Sequence, residues 1–218
     1  MSKIAVLGTG IVGDTIGSKL IESGHTVAMG SRTQNNDKAL AFVAKHNGKA
    51  ISGTFSDAAA YGQIIFNCTK GNGSIEALIM AGENNLKDKI IVDISNPLDF
   101  SNGMPPTLLY SNTNSLGEEI QKTFPSSKVV KTLNTMWCGL MVHPGLLNEG
   151  DHNVFISGND ESAKDEVKGI LKSFGWLSKN IIDLGDITSA RATEMYLAMW
   201  VRILGVINTG TFNIKIVS

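Results

Sequence analysis

Short β-branched, apolar runs alternate along this chain with longer stretches whose apolar residues recur every three to four positions. That alternation is the pattern of a parallel sheet carrying helices on its faces. A first strand is expected at Lys3 to Leu7. Ile11, Val12, Ile16 and Leu20 then follow at helical spacing until Gly24 stops the helix. A second strand is expected at Thr26 to Met29, a helix from about Asp37 to His46, and only a weak, short strand near Ala50-Ile51. Better strands follow at Gln63 to Asn67, Lys89 to Ile94, Lys128 to Leu133 and Asn153 to Ser157. A helix from about Glu161 to Phe174, a strand near Asn180 to Asp183, a helix from about Ser189 to Val206 and a short extended tail complete the pattern. The fold class expected is therefore α/β, with a doubly wound, mostly parallel sheet and a small C-terminal helical appendage.

The chemistry begins at Gly8-Thr9-Gly10-Ile11-Val12-Gly13, extended by Gly17. Glycines in this spacing are a weak signal alone. Here they follow an apolar strand and open an amphipathic helix, the context that a dinucleotide fingerprint requires. Gly8 permits the tight turn, Gly10 lets backbone approach a pyrophosphate, and Gly13 lets the helix pack closely on the strand. Thr9, Ile11 and Val12 lie at the helix start, where free amides and the helix dipole favour an anion. The fold is thus expected to be Rossmann-type, with residues 1–183 forming the nucleotide domain and 184–218 an appendage that completes the substrate pocket. A tight turn that binds nothing is the alternative.

The end of the second strand distinguishes the two nicotinamide cofactors. An NAD site usually places Asp or Glu there, about 20 residues beyond the glycines. This chain reads Met29-Gly30-Ser31-Arg32-Thr33 instead. Arg32 offers a charged fork, and Ser31 and Thr33 offer hydroxyls, so NADP is the cofactor expected.

Other strand ends deliver Cys68-Thr69-Lys70, then Asp93-Ile94-Ser95-Asn96-Pro97, then Lys131-Thr132-Leu133-Asn134-Thr135-Met136. Ligands of open α/β sheets sit outside the carboxyl ends of the strands, so these residues are candidates for holding ribose, amide and ring edges. Ordinary loop capping by Ser, Thr and Asn is the competing explanation. The loose stretch Asn96 to Asn114, rich in Pro, Ser, Asn and Gly, reads as an excursion over the crevice. Reduction of a ketone or imine calls for a positioned acid. The C-terminal helix has Arg191, Glu194, Tyr196 and Arg202 but no lysine. His143 is the best remaining donor, followed by Tyr196. No Cys/His grouping has metal-ligand spacing, and no metal is expected.

Composition narrows the function further. A net charge of -1 leaves no basic excess for nucleic acid. The most apolar late segment, Met195 to Ile207, is interrupted by Arg202 and falls short of the roughly 20 residues that span a bilayer. With no secretory signal and two cysteines, Cys68 and Cys138, that form no disulfide framework, the expected location is the cytoplasm. The charged fraction of 18% is below the usual figure of about a quarter, which is compatible with a homodimer.

Several segments together resemble the NADP-dependent oxidoreductases of the deazaflavin (coenzyme F-420) reductase family. They are Ala5-Val6-Leu7-Gly8-Thr9-Gly10, Gly24-His25-Thr26-Val27, Gly30-Ser31-Arg32, Val130-Lys131-Thr132-Leu133-Asn134-Thr135 and Ile156-Ser157-Gly158-Asn159-Asp160. The cytosolic domain of the transmembrane metalloreductases shares these motifs. The resemblance implies that Thr9, Ile11, Val12, Ser31, Arg32, Ser95 and Asn134 line an NADP site, with the nicotinamide near Asn134 to Met136. It implies a second ring stacked there, in a pocket lined by Trp137, His143 and the C-terminal helix. His143 and Asn134 are then the residues expected nearest the chemistry. The implied activity is hydride transfer between NADPH and a small-molecule acceptor: deazaflavin, flavin, quinone or another small molecule. A carbonyl or imine reductase using His143 or Tyr196, and a non-catalytic NADP-binding redox sensor, are the alternatives.

Overall fold

The computed structural model describes residues 1–217. Strand β1 (Lys3–Leu7) is apolar after Lys3 because both of its faces are buried: Ile4 and Val6 enter one core, Ala5 and Leu7 another. Helix α1 (Ile11–Glu22) packs Ile16 and Leu20 into the first core, and the chain returns as β2 (Thr26–Ser31), parallel to β1. Asn36 caps α2 (Asp37–Lys45) by accepting from the Lys38 and Ala39 amides, and β3 (Ala50–Thr54) follows. The Thr54–Asp57 capping box starts α3 (Phe55–Tyr61), whose Phe55, Ala58 and Ala59 enter the second core. The chain thereby reaches β4 (Ile64–Asn67) on the opposite side of β1 from β2. This reversal of winding direction opens a crevice beyond the carboxyl ends of β1 and β4.

Helices α4 (Ser74–Ala81) and α5 (Glu83–Leu86) lead to β5 (Ile90–Asp93). A small antiparallel ribbon, β6 (Leu98–Asp99) with β7 (Thr107–Leu108), then precedes α6 (Leu116–Thr123) and β8 (Lys128–Thr132). The remainder is α7 (Cys138–Val142), β9 (Val154–Gly158), α8 (Glu161–Ser173), β10 (Ile181–Asp183) and α9 (Ala190–Ile207). The eight-stranded sheet runs β10-β9-β8-β5-β4-β1-β2-β3 and is parallel except where β9 meets β8. The mostly parallel, doubly wound expectation holds.

Three local differences have physical reasons. The weak strand near Ala50-Ile51 is a full edge strand, because pairing from Val27↔Ala50 to Ser31↔Thr54 holds even Gly53 in register. The stretch Asn96 to Asn114 contains the β6–β7 ribbon. Helices α3 and α6 are too short to show apolar periodicity. Their signal is the cap: Ser115 Oγ accepts from the Glu118 amide and donates to the Glu118 carboxylate, as in the Thr54–Asp57 pair.

Helix α9 is tied to the sheet by a buried ion network. Lys131 on β8, Asp93 on β5 and Glu194 on α9 are each no more than 1% exposed. The three ammonium donors of Lys131 are all used: 2.8 Å to Asp93 Oδ2, 2.7 Å to Glu194 Oε1 and 2.6 Å to the Ser95 carbonyl. Burial alone pushes the ammonium pKa down, but the two carboxylates outweigh it and hold the group above the ordinary lysine range. Asp93 Oδ1 accepts from the Asn67 amide at 2.9 Å and from the Ser95 hydroxyl at 2.7 Å. Glu194 accepts from the Leu116 and Gly117 amides at 2.7 and 3.0 Å, where the α6 dipole favours an anion. Lys131→Met preserves volume but strands both carboxylates. It should lower the unfolding free energy by about 3–5 kcal/mol in urea denaturation, and a loss under about 1 kcal/mol would contradict this network.

Candidate active site

The turn between β1 and α1 is shaped by glycines. Gly8 has φ of 115°, and a Cβ there would lie 2.7 Å from the Cys68 carbonyl oxygen. At Gly13 a Cβ would lie 1.9 Å from the Gly8 carbonyl oxygen, so only glycine lets α1 rest on the strand end. Gly10 is different: its missing Cβ points into open space with no heavy atom within 4 Å. No side chain caps the α1 start at Gly10. The first-turn amides therefore face an open cradle suited to an anion such as a pyrophosphate. Ile11, 78% exposed, stands beside it as an apolar ridge lining two depressions.

The first is a groove of about 390 Å³ between Thr9 and Gly10 and the α2 residues Lys38, Phe42 and Lys45. Arg32 and Thr33 stand exposed on the loop between β2 and α2, outside its wall. Among the described residues no carboxylate pairs with Arg32, which leaves its guanidinium available to an anion. Ser31 corrects one expectation. It is buried, and its hydroxyl donates to the Thr33 carbonyl at 2.5 Å, so that proton shapes the loop. Lys38 is a residue that the strand-end motifs do not single out. Its signal is the Asn36 cap, which places Lys38 in the first turn of α2, beside the same groove.

The second depression is a cavity of about 730 Å³ at the switch point. The β4 end contributes Cys68, Thr69, Lys70 and Asn72, the β5 end Ser95 and Asn96, and the β8 end Met136 to Cys138. Ile11 and Val12 form the side toward the cradle. Leu98 to Ser101 of the ribbon and Trp200 of α9 enclose the remainder, so the Asn96 to Asn114 excursion does overhang a crevice. The Trp200 ring stacks on Phe212 of the tail at 5.3 Å, and Gly210 packs against Trp137. The Trp200 indole nitrogen has no hydrogen-bond partner among the described residues. Burial, reinforced by the Asp93 charge, pushes the Cys68 thiol pKa up, so it stays protonated at neutral pH.

Several sequence candidates do not line this cavity. Gly8 and Gly13 act through packing. Pro97 is buried, and its carbonyl accepts from the Leu109 amide, anchoring the ribbon. Asn134 is 2% exposed and forms a reciprocal pair with Asn96: its Nδ2 donates to Asn96 Oδ1 at 2.9 Å, and its carbonyl accepts from Asn96 Nδ2 at 2.8 Å. Its direct role is thus to hold Asn96, which does face the cavity. His143 is also corrected. Helix α7 carries it from Trp137 to an exposed position outside the cavity wall. Tyr196 lines a separate cavity of about 200 Å³ with Thr135 and Phe155, and burial pushes its phenol pKa up. No group of three or more His, Cys, Asp or Glu side chains among the described residues is placed to hold a metal ion.

A cradle for a pyrophosphate, free cations near the β2 end and an adjoining aromatic cavity suit a phosphorylated dinucleotide with a second ligand beside it. Similarity to known proteins supports the dinucleotide part, NADP. The family described as NADP oxidoreductase coenzyme F420-dependent matches residues 3–97, from β1 through the loop after β5. A crystal structure from Arthrobacter sp. FB24, provisionally named an F420-dependent NADP-reductase, is 51% identical with a TM-score of 0.94, covering 100% of both chains. Metalloreductase STEAP3 of Rattus norvegicus is 28% identical over 195 residues, 88% of this chain but 36% of that protein. The chain therefore spans about a third of that curated relative's length. A reductive aminase of Aspergillus terreus in complex with NADPH and ethyl levulinate is 19% identical with a TM-score of 0.67, over 95% of this chain and 63% of that one. That likeness is one of fold alone. Among the described residues no helix is long and apolar enough to cross a membrane. At 51% identity over its whole length, with residues 3–97 matching the family model, this chain belongs to the coenzyme F420-dependent NADP oxidoreductase family and is an NADP-dependent oxidoreductase.

Proposed function

We propose that the chain moves hydride between NADPH and a planar, conjugated acceptor of the deazaflavin (coenzyme F-420) or flavin kind. The observation that carries this reading is the wall of the larger cavity. It adjoins the glycine cradle, presents Trp137, Trp200 and Phe100, and contains neither histidine nor tyrosine. Among the residues present, the α1 amides and Gly10 would hold the pyrophosphate, Arg32 and Lys38 the 2′-phosphate, and Ser95, Asn96 and Met136 would flank the nicotinamide. Bound NADPH supplies a hydride.

The chain's own contribution is orientation. The loops after β4, β5 and β8 are held by buried and half-buried hydrogen bonds, so they need little reorganisation when ligands arrive. The apolar and aromatic wall excludes water and favours a ring lying face to face with its neighbour. A conjugated ring spreads the charge it receives, so it depends less on a positioned acid than a ketone or imine does. The exposed site of His143 and the separate pocket of Tyr196 favour this reading over the carbonyl or imine reductase.

Purified protein should oxidise NADPH with deazaflavin or free flavin. Turnover confined to small carbonyls or imines would favour the rival chemistry. Tight NADPH binding without turnover on any acceptor, quinones included, would favour a redox sensor. Arg32→Ala should weaken NADPH about tenfold or more by calorimetry while changing NADH less than about threefold. Equal weakening of both would remove Arg32 as the selector. His143→Ala should leave kcat within about twofold, whereas a loss of about a hundredfold would restore it as a proton donor.

A further inference from the structure

The candidate site includes neither Lys131 nor Glu194, yet one ammonium reaches toward both of its walls. On one side, the Ser95–Asn96 segment lies in no helix or strand and keeps its shape through side-chain bonds. Asp93 Oδ1 accepts from the Ser95 amide at 3.1 Å and hydroxyl at 2.7 Å, and Lys131 Nζ donates to the Ser95 carbonyl at 2.6 Å. On the other side, the same Nζ lies 2.7 Å from Glu194 Oε1, and Glu194 also accepts from the first amides of α6. Six residues beyond Glu194, about 9 Å further along α9, Trp200 enters the cavity wall.

We propose that Lys131 and Glu194 are positioning residues that set the α9 wall of the cavity against the Ser95–Asn96 wall, an inference that rests on reading the cavity as the hydride-transfer site. The division of labour comes from the bonds. Glu194 fixes α9 only, because without its charge Lys131 still holds Asp93 and the Ser95 carbonyl. Lys131 fixes both walls. A second tie lies outside the network: the Arg191 guanidinium donates to the Glu118 carboxylate at 2.8 and 2.5 Å. With that pair intact, loss of the Glu194 charge shifts α9 without releasing it. A shift of about 1 Å at a reacting ring is enough to change rates by up to about a hundredfold.

The test uses the whole chain. Glu194→Gln keeps the side-chain volume and one oxygen for Lys131 and the Gly117 amide, but it removes the charge that faces Lys131 and puts an NH2 donor where Oε2 accepts from the Leu116 amide. It should raise the KM for deazaflavin or flavin roughly tenfold while NADPH Kd moves less than about threefold. Hydrogen exchange in α9 should quicken, with the Ser95 and Asn96 amides unchanged. Lys131→Gln should raise both constants and quicken exchange in both segments. Arg191→Met, on the same seam but outside the network, should lower the melting temperature and leave the acceptor KM in place. An unchanged acceptor KM in Glu194→Gln, or equal changes in KM and NADPH Kd, would overturn the proposal, as would an Arg191→Met effect matching that of Glu194→Gln. If the parent protein turns over no acceptor, the functional reading fails by itself. The ligand-free exchange pattern then still decides the coupling: unchanged α9 protection in Glu194→Gln overturns it.

Discussion

The close approach of Gly13 to the Gly8 carbonyl sets the geometry of the whole nucleotide end of the molecule. With no side chain at residue 13, α1 settles directly on the carboxyl end of β1, and its unpaired amides are presented over Gly10 to open space. A larger residue would push the helix off the strand end and close or tilt the cradle. The sheet supplies the other half of the constraint. Because the winding reverses at β1, the ends of β4, β5 and β8 bring their loops to one side of that cradle. The anion site and the adjoining cavity are two consequences of one chain path.

Rigidity around the cavity comes from polar groups buried beside it. Asn67, Asp93, Ser95, Lys131 and Glu194 form a network in which the buried charges have partners. Such a network is costly if any member is missing, and when complete it favours a single arrangement of the elements it joins. Here those elements are three central strands, the start of α6, the Ser95 loop and α9. The C-terminal helix thereby belongs to the cavity, although it lies at the end of the chain.

Much of this is legible in the sequence where the determinants are local. The glycine motif declares itself because a positive φ and a close helix–strand approach both demand glycine. The apolar runs of β1, β4 and β5 declare strands buried on both faces, and the absence of a carboxylate in Gly30-Ser31-Arg32-Thr33 speaks about the cofactor. What depends on distant partners is hidden. Lys131 reads as an ordinary strand-end lysine until Asp93 and Glu194, 38 and 63 positions away in the chain, are brought to it. Nothing local specifies that β9 runs antiparallel to β8. His143 lies close to Trp137 in sequence but is carried out of the cavity by one short helix. Asn134, expected near the chemistry, acts one step removed by bracing Asn96.

In the proposed reaction a hydride crosses directly between two rings held in one cavity. Isotope transfer tests it most directly, with NADPH carrying deuterium at the transferable position of nicotinamide C4 and deazaflavin as acceptor. The label should arrive on the ring carbon of the reduced deazaflavin without dilution by solvent. Reduced deazaflavin carrying solvent hydrogen at that carbon, or no reduction at all, would contradict it.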